Sequence, residues 1–221
     1  IGRISHIADI RLLIVEWMLL GGLLATLAIA QAFWFSNSYS EETFVRGGTY
    51  TEATIGDVNS MNPLFATTSS EKTLSRLMFA TLVTIDYSGH LGMGLAESVR
   101  ANENSTVWTV KLRDGLKWSD GEPITIDDVI FTAGLIKNPA VNTVYDANLT
   151  NVEVAKGENG EAVFRLPEPY VDFIAALNFP IIPQHILADV EPKTLVENGF
   201  SNAPVTSGAF NYNAFQATAV E

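Results

Sequence analysis

The run from Trp17 to Phe35 constrains the fold of this chain more than any other feature, because it contains no charged side chain. Its length is close to the roughly 20 residues that cross the hydrocarbon core of a bilayer as an α-helix. Arg3 and Arg11 precede the run and Glu41 follows it, and basic residues are typical of the cytoplasmic side of a span. The sequence therefore predicts a single-pass protein of the cell membrane, with everything after about residue 37 on the extracytoplasmic side.

Two alternatives exist for this run. One is a buried core helix of a soluble domain, although so long an uncharged run rarely suits such a helix. The other is a cleaved signal peptide, because the segments 28–30 and 30–32 read Ala-Ile-Ala and Ala-Gln-Ala and both satisfy the small-x-small cleavage rule. We assign residues 1–36 to a cytoplasmic stub with a transmembrane helix or signal, and residues 37–46 to a linker.

Composition and motif spacing exclude several classes of protein. The chain has no cysteine, and so it has neither disulfides nor a thiolate nucleophile. Its net charge is −12 and it has no basic cluster, which argues against nucleic acid as a partner. His6, His90 and His185 are too far apart in sequence for the usual metal-ligand spacing. The sequence thus predicts no catalytic residue, no metal and no cofactor.

The stretch from Trp108 to Val129 contains a dense series of local signals. Apolar and polar residues alternate from Trp108 to Leu112, which is the pattern of a strand with one buried face. We predict a hairpin turn at Asp114-Gly115, a second short strand at Leu116 to Ser119, and another turn at Asp120-Gly121. A helix then begins after Thr125, where Asp127 and Asp128 are better explained as helix N-terminal residues than as an acid and base pair.

Strands and helices are mixed along the rest of the chain without a regular βαβ alternation. This order indicates an α/β or mixed α+β fold with a mixed sheet. Thr68 and Glu71 have the spacing of a capping box and predict a helix start. The other predicted strands are Thr49–Ile55, Leu82–Tyr87, Val152–Ala155 and Ala162–Leu166. The helix that begins near Thr125 covers about 124–138, and a further helix is predicted at Tyr170–Leu177.

The segment WTVKLRDGLKWSDGEPITIDDVIFT closely resembles the signature region of the extracellular solute-binding proteins of the oligopeptide, dipeptide and nickel importer family. The resemblance extends upstream to GGTYTEA, MNPLFATTSSEKTLSRLMFATLV and GHLGMGLAESV. Downstream it includes FRLPEPYVDFIAAL, IIPQHIL and PVTSGAF, and so it covers about residues 47–212. Two departures are the absence of the cysteine that carries the lipid of anchored members, and the loss of a proline in the segment 206–210, which reads TSGAF.

The resemblance implies a fold and a function. Residues 47–221 would be an incomplete first lobe of a two-lobed periplasmic-binding-protein-like receptor, with an inserted subdomain at about 80–166, in a chain that looks like an N-terminal fragment. The receptor would capture peptides or peptide-like ligands and deliver them to the permease subunits of an ABC importer, and it would not be an enzyme. The alternatives are a transmembrane ligand sensor, a member that binds nickel, haem or sugar, and a hydrolase or surface protein on a similar scaffold.

The resemblance also implies ligand-binding residues. The first-lobe ligand loop corresponds to Thr67, Thr68 and Ser69, which lie before a predicted helix and offer hydroxyls and backbone N–H groups. Plain helix capping is the alternative role for these three residues. Tyr145 lies where a subdomain tyrosine approaches the ligand in oligopeptide binders. Trp108 and Trp118 would be scaffold residues.

Overall fold

The computed structural model describes residues 2–39, 57–145 and 149–214 of the chain. These residues belong to two compact units, 1–52 and 53–221. The described part of the first unit is a single helix, α1 (Gly2–Tyr39). Within α1 the 21 residues from Ile14 to Trp34 are long and apolar enough to cross a membrane, and none of them is buried. This segment overlaps the predicted span, and a signal sequence has the same length and composition.

The second unit contains two antiparallel sheets and four short helices in its described part. A two-stranded sheet pairs β1 with β2, and a four-stranded sheet has the order β3-β4-β6-β5. The strands are β1 (Val83–Ile85), β2 (Leu91–Met93), β3 (Ala96–Ala101), β4 (Val107–Leu112), β5 (Glu153–Lys156) and β6 (Ala162–Arg165). The helices are α2 (Ser69–Met78), α3 (Ile126–Ile136), α4 (Phe173–Ala176) and α5 (Gln184–Leu187), with 3₁₀ turns at Pro63–Phe65, Pro192–Glu197 and Gly199–Ser201.

The expectation of a mixed sheet is wrong for the described residues, where every strand pair is antiparallel. For three of the four pairs the reason is the length of the connections. Short turns join β1 to β2, β3 to β4 and β5 to β6, and a short turn can only return the chain antiparallel to itself. The fourth pair, β4 with β6, is antiparallel although α3 and β5 lie between its strands in the chain. Apart from the strands predicted at Thr49–Ile55 and Leu116–Ser119, the other predicted elements are found within a few residues of their predicted ends, although α4 is shorter than the helix predicted at Tyr170–Leu177.

The strand β4 is the centre of the larger sheet and supplies its core. Trp108 is 6% exposed and Val110 is fully buried, as the alternation predicts. Trp108 lies opposite Phe164 of β6, and its ring centroid is 5.9 Å from that of Phe173 in α4. Phe164 and Phe173 also contact each other, with centroids 5.8 Å apart. These three aromatic rings join the sheet to α4.

The short strand predicted at Leu116–Ser119 does not form. Both edges of β4 already pair with β3 and β6, so neither edge is left for a hairpin partner. The residues instead close a small loop. In it the backbone N–H of Trp118 donates to the carbonyl of Glu122 at 2.8 Å, and the backbone N–H of Ile124 donates to the carbonyl of Leu116 at 3.0 Å. Gly115 and Gly121 have φ angles of 75° and 98°, and so both predicted turns need their glycine.

The start of α3 is fixed by the buried carboxylate of Asp128. One of its oxygens accepts the N–H of Thr125 at 2.8 Å, and the other accepts the N–H of Gln184 at 2.8 Å. Asp128 therefore connects the first turn of α3 to the first turn of α5. Asp127 is half-buried and pairs with Lys156 of β5 at 2.8 Å. Both carboxylates have the helix N-terminal role that the sequence predicts, and the two are not an acid and base pair.

The segment 205–210 connects distant parts of the second unit. Thr206 exchanges two hydrogen bonds with Ser119, at 2.8 and 2.9 Å. Gly208 donates its N–H to the carbonyl of Met78 at the end of α2, at 2.8 Å. A Cβ atom on Gly208 would lie 2.5 Å from the carbonyl oxygen of Leu77, so only glycine fits there. Backbone contact with α2 thus explains the one glycine in the sequence TSGAF.

Two predictions fall wholly or partly outside the described residues. The strand predicted at Thr49–Ile55 lies among residues 40–56, which the structure does not describe. Of the linker predicted at 37–46, residues 37–39 belong to α1 and the others lie in the same undescribed range. The boundaries of the lobe and of its inserted subdomain stay predictions.

Candidate functional site

The loop before α2 is organised around one buried carboxylate, that of Glu71, which is 3% exposed. One of its oxygens accepts the backbone N–H groups of Asn59 and Ser60, at 2.9 and 3.4 Å. The other accepts the backbone N–H groups of Thr67 and Thr68, at 2.9 and 3.0 Å. Glu71 therefore joins two separate turns of the loop to the first turn of the helix.

These hydrogen bonds determine the protonation of Glu71. Desolvation by burial acts to raise the pKa of this carboxyl group, but hydrogen bonds from the backbone N–H groups of Thr68, Asn59, Thr67 and Ser60 oppose it and lower the pKa to about 2. Donors that favour the charged form of a carboxyl group lower its pKa in this way. Glu71 is consequently ionised at every physiological pH.

The three predicted ligand residues of this loop lie at the N-terminus of α2. Thr67 and Ser69 are exposed and Thr68 is half-buried. The hydroxyl of Thr68 accepts the N–H of Glu71 at 3.2 Å, and the hydroxyl of Thr67 donates to the Glu71 carboxylate at 3.3 Å. The backbone N–H groups of Thr67 and Thr68 are therefore not free, contrary to the expectation from the sequence. These contacts are those of helix capping, and a ligand role for Thr67, Thr68 and Ser69 stays a prediction.

Tyr145 lies against α2, in a cavity of about 390 Å³. Burial raises the pKa of its hydroxyl, and the positive charge of Arg76 acts in the opposite direction. Thr67, Thr68 and Ser69 do not line this cavity, although their neighbour Ala66 does. The residues that line the cavity are Ala66, Lys72, Ser75, Arg76, Phe79, Thr81, Val144, Tyr145, Asn178 and Pro180.

A second cavity, of about 510 Å³, adjoins the first. The two share the side chains of Arg76, Phe79, Thr81 and Asn178, and so they form one concave surface, which we call the α2 groove. The second cavity extends to the turn after β1, where Tyr87 is fully exposed. A groove of this size accommodates several atoms of a small ligand against one lobe.

Lys72 and Arg76 of the α2 groove were not predicted as site residues. The available signal was their spacing, because residues four apart lie on the same face of a helix. Two basic residues on one face are unusual in a chain with a net charge of −12. Tyr145 was predicted from the resemblance alone, and nothing in the local sequence indicates that it contacts the same helix.

Trp108 and Trp118 do not line the α2 groove. Trp118 is 3% exposed, and its ring lies 6.4 Å from the ring of His185. His185 in turn lies 2.9 Å from a carboxylate oxygen of Asp120. Among the residues that the structure describes, His, Asp and Glu side chains form no cluster of three or more that could hold a metal ion.

Comparisons with known proteins agree with this architecture. The chain is 26% identical over 175 residues to the oligopeptide-binding protein AppA of Bacillus subtilis, which covers 77% of the chain and 32% of AppA. The structure of AppA in complex with a nonapeptide matches 74% of the chain and 33% of AppA, with a TM-score of 0.67 and 26% identity. The structure of NikZ from Campylobacter jejuni in complex with Ni(L-His) matches 73% of the chain and 32% of NikZ, with a TM-score of 0.65 and 25% identity.

The chain thus spans about a third of the length of these relatives. It has the fold of the corresponding part of a substrate-binding protein, and the relatives are binding proteins and not enzymes. The model of the bacterial extracellular solute-binding proteins, family 5 middle region, matches residues 90–220. Because this match includes more than half of the 221 residues, the chain belongs to family 5 of the bacterial extracellular solute-binding proteins.

Proposed function

We propose that this chain supplies part of an extracytoplasmic receptor that captures peptides or peptide-like ligands for an ABC importer. The observation that carries the proposal is the joint likeness in sequence and fold to AppA, whose structure contains a nonapeptide. The α2 groove supports it, because the groove combines apolar walls with several polar side chains. Thr67, Thr68 and Ser69, which lie outside the α2 groove, and Tyr145, which lines it, are the proposed ligand contacts, together with the other residues of the groove.

The proposal is tested by calorimetric titration with peptides of three to nine residues. Ligands of two-lobed receptors are held in the cleft between the lobes, which removes both faces of the ligand from water. We therefore expect the 221-residue chain to bind peptides only at millimolar concentration, and a chain extended past residue 221 to the length of the relatives to bind them at least tenfold more tightly. Micromolar binding by the chain alone would instead indicate a self-contained binder with one lobe.

Tyr145 provides the matched test of the groove in the same experiment. Tyr145→Ala in the same extended chain is expected to weaken peptide binding about tenfold, since it removes a large aromatic side chain that lines the groove. The control is Tyr170→Ala, which truncates a half-exposed tyrosine outside the groove and should leave the affinity unchanged. Equal losses in the two variants would contradict the assignment of the site.

We further propose that α1 tethers the receptor to the membrane. The segment Ile14–Trp34 is sufficiently long and apolar, and basic residues precede it. Mass spectrometry of the protein purified from membranes should therefore find a mature N-terminus before Ile14, and alkaline carbonate should not extract the protein. A mature chain that begins at Gln31 or Phe33 would show that the segment is a cleaved signal.

A further inference from the structure

We propose that Lys72 and Arg76 form a carboxylate-binding subsite in the α2 groove, so that the receptor prefers ligands that present an anionic group to this helix. The inference rests on the proposed function, and it specifies the chemistry of the ligand at one place in the site. Three observations carry it: the position of the two cations, the absence of acidic residues from the lining of the first cavity, and the neutral donors beside the cations.

The first observation is position. Lys72 and Arg76 are four residues apart on α2, and so they project from one face of the helix. Both side chains are exposed, and both line the cavity that Tyr145 also lines. Arg76 additionally lines the adjoining cavity, so it borders both halves of the groove.

The second observation is charge. The ten residues that line the cavity include these two cations and no aspartate or glutamate. The ion pairs of the described residues belong to other side chains, in the pairs His90–Asp86, Lys111–Glu97, Lys156–Asp127 and His185–Asp120. Asp86 lines the second cavity, where it pairs with His90, so the local region of positive charge is the first cavity, around Lys72 and Arg76.

The carboxylate nearest in sequence does not neutralise this region. Both oxygens of Glu71 accept backbone N–H groups from the preceding loop, and the side chain is buried. The negative charge of Glu71 is thus stabilised by backbone N–H groups of the loop, although Glu71 directly precedes Lys72 in the chain. The two cations remain available to a ligand from the solvent side of α2.

The third observation is the set of neutral groups beside the cations. The guanidinium of Arg76 can donate two parallel hydrogen bonds to one carboxylate, and the ammonium of Lys72 adds a point charge. Tyr145 and Asn178 also line the cavity, and a tyrosine hydroxyl and an asparagine amide can both donate hydrogen bonds. This is the donor set of a carboxylate site.

The carboxylate has two possible sources in a peptide, the C-terminus and an acidic side chain. Three probes separate them: trialanine with a free C-terminus, trialanine amide, and Ala-Asp-Ala amide. Each is titrated into the isotopically labelled 221-residue chain in detergent micelles, and binding is followed by NMR through the signals of α2 and Tyr145. NMR detects millimolar binding, and so the test does not require a complete cleft.

We expect trialanine to shift the signals of Lys72, Arg76 and Tyr145, and trialanine amide to bind at least fivefold more weakly. Binding restored by Ala-Asp-Ala amide shows that a side-chain carboxylate is also accepted, and binding by the free C-terminus alone assigns the subsite to the peptide end. Lys72→Gln and Arg76→Gln should each weaken trialanine binding about fivefold. The control Lys117→Gln removes an exposed positive charge outside the groove and should not change it.

Three results would overturn the subsite: equal affinity for trialanine and its amide, no shift of groove signals by any probe, or the same loss in Lys117→Gln as in the groove variants. The failures of the two proposals are distinguishable. If acid and amide bind the groove equally, peptide capture survives and the carboxylate subsite fails. Acetate serves as a fourth probe: if it shifts the Arg76 signal while a chain extended past residue 221 to the length of the relatives binds no peptide, the subsite survives and peptide capture fails.

Discussion

Replacing Trp108 with alanine is expected to lower the free energy of unfolding of the second unit by about 3–5 kcal/mol, which is the usual cost of truncating a buried tryptophan. The side chain is 6% exposed, and its indole packs between β6 and α4, against Phe164 and Phe173. Its ring N–H donates to the carbonyl of Ser105 at 3.3 Å. The loss removes both the packing and this hydrogen bond, and chemical denaturation followed by circular dichroism measures it.

The matched control for Trp108 is Tyr87→Ala. Tyr87 is a fully exposed aromatic residue in the turn after β1, and truncating it should change the free energy of unfolding by less than about 0.5 kcal/mol. If Trp108→Ala melted at the temperature of the unmodified protein and failed to bind peptides, Trp108 would belong to the binding site and not to the core.

The Glu71→Gln variant is expected to lose about 3 kcal/mol of stability at neutral pH. The carboxylate accepts four backbone N–H groups, and its side chain is 3% exposed. Glutamine has only one acceptor oxygen, so N–H groups on the other side would face an amide NH₂ without a bond. Hydrogen bonds to a charged group contribute about 1.5–3 kcal/mol, and unpaired buried donors add to the loss. The control is Glu158→Gln, on an exposed turn, which should leave the free energy of unfolding unchanged.

The same residue predicts a pH dependence. The pKa of Glu71 is about 2 in the folded protein against 4.5 for an ordinary glutamate, so the folded state favours the ionised form. Its contribution to stability is therefore fully present above about pH 4.5, and it is lost as the pH falls from there through the folded pKa of about 2. Acid unfolding curves measure this, and the dependence in that window should be weaker in Glu71→Gln. If the stability of the unmodified protein and that of Glu71→Gln fell equally with pH in this window, the assignment of the pH dependence to Glu71 would be contradicted.

The elements predicted correctly from the sequence are those set by neighbours in the chain. The capping spacing of Thr68 and Glu71 places the start of α2, and the alternation from Trp108 to Leu112 places β4. Both patterns depend on residues within one or two turns of each other, so they are visible without a tertiary structure.

The features that the sequence did not predict depend on distant partners. The strand predicted at Leu116–Ser119 fails because β6, about 50 residues further on, pairs with the free edge of β4. The four donors to Glu71 come from two turns, and only the turn that contains Thr67 and Thr68 is close in sequence. The meeting of Tyr145 with Arg76 likewise depends on how the chain returns to α2, which no local pattern encodes.

The segment 205–210 has a consequence for biosynthesis. The hydrogen bond from the N–H of Ala80 to the hydroxyl of Ser207 joins residues 127 positions apart, and Ser119 and Thr206 are 87 positions apart. A ribosome therefore makes α2 and the larger sheet well before the residues that bind the last carbonyls of α2 leave the exit tunnel. Contacts between such distant residues form slowly, since loop closure must precede them. We expect the nascent chain to present this end of α2 to chaperones until residue 208 emerges.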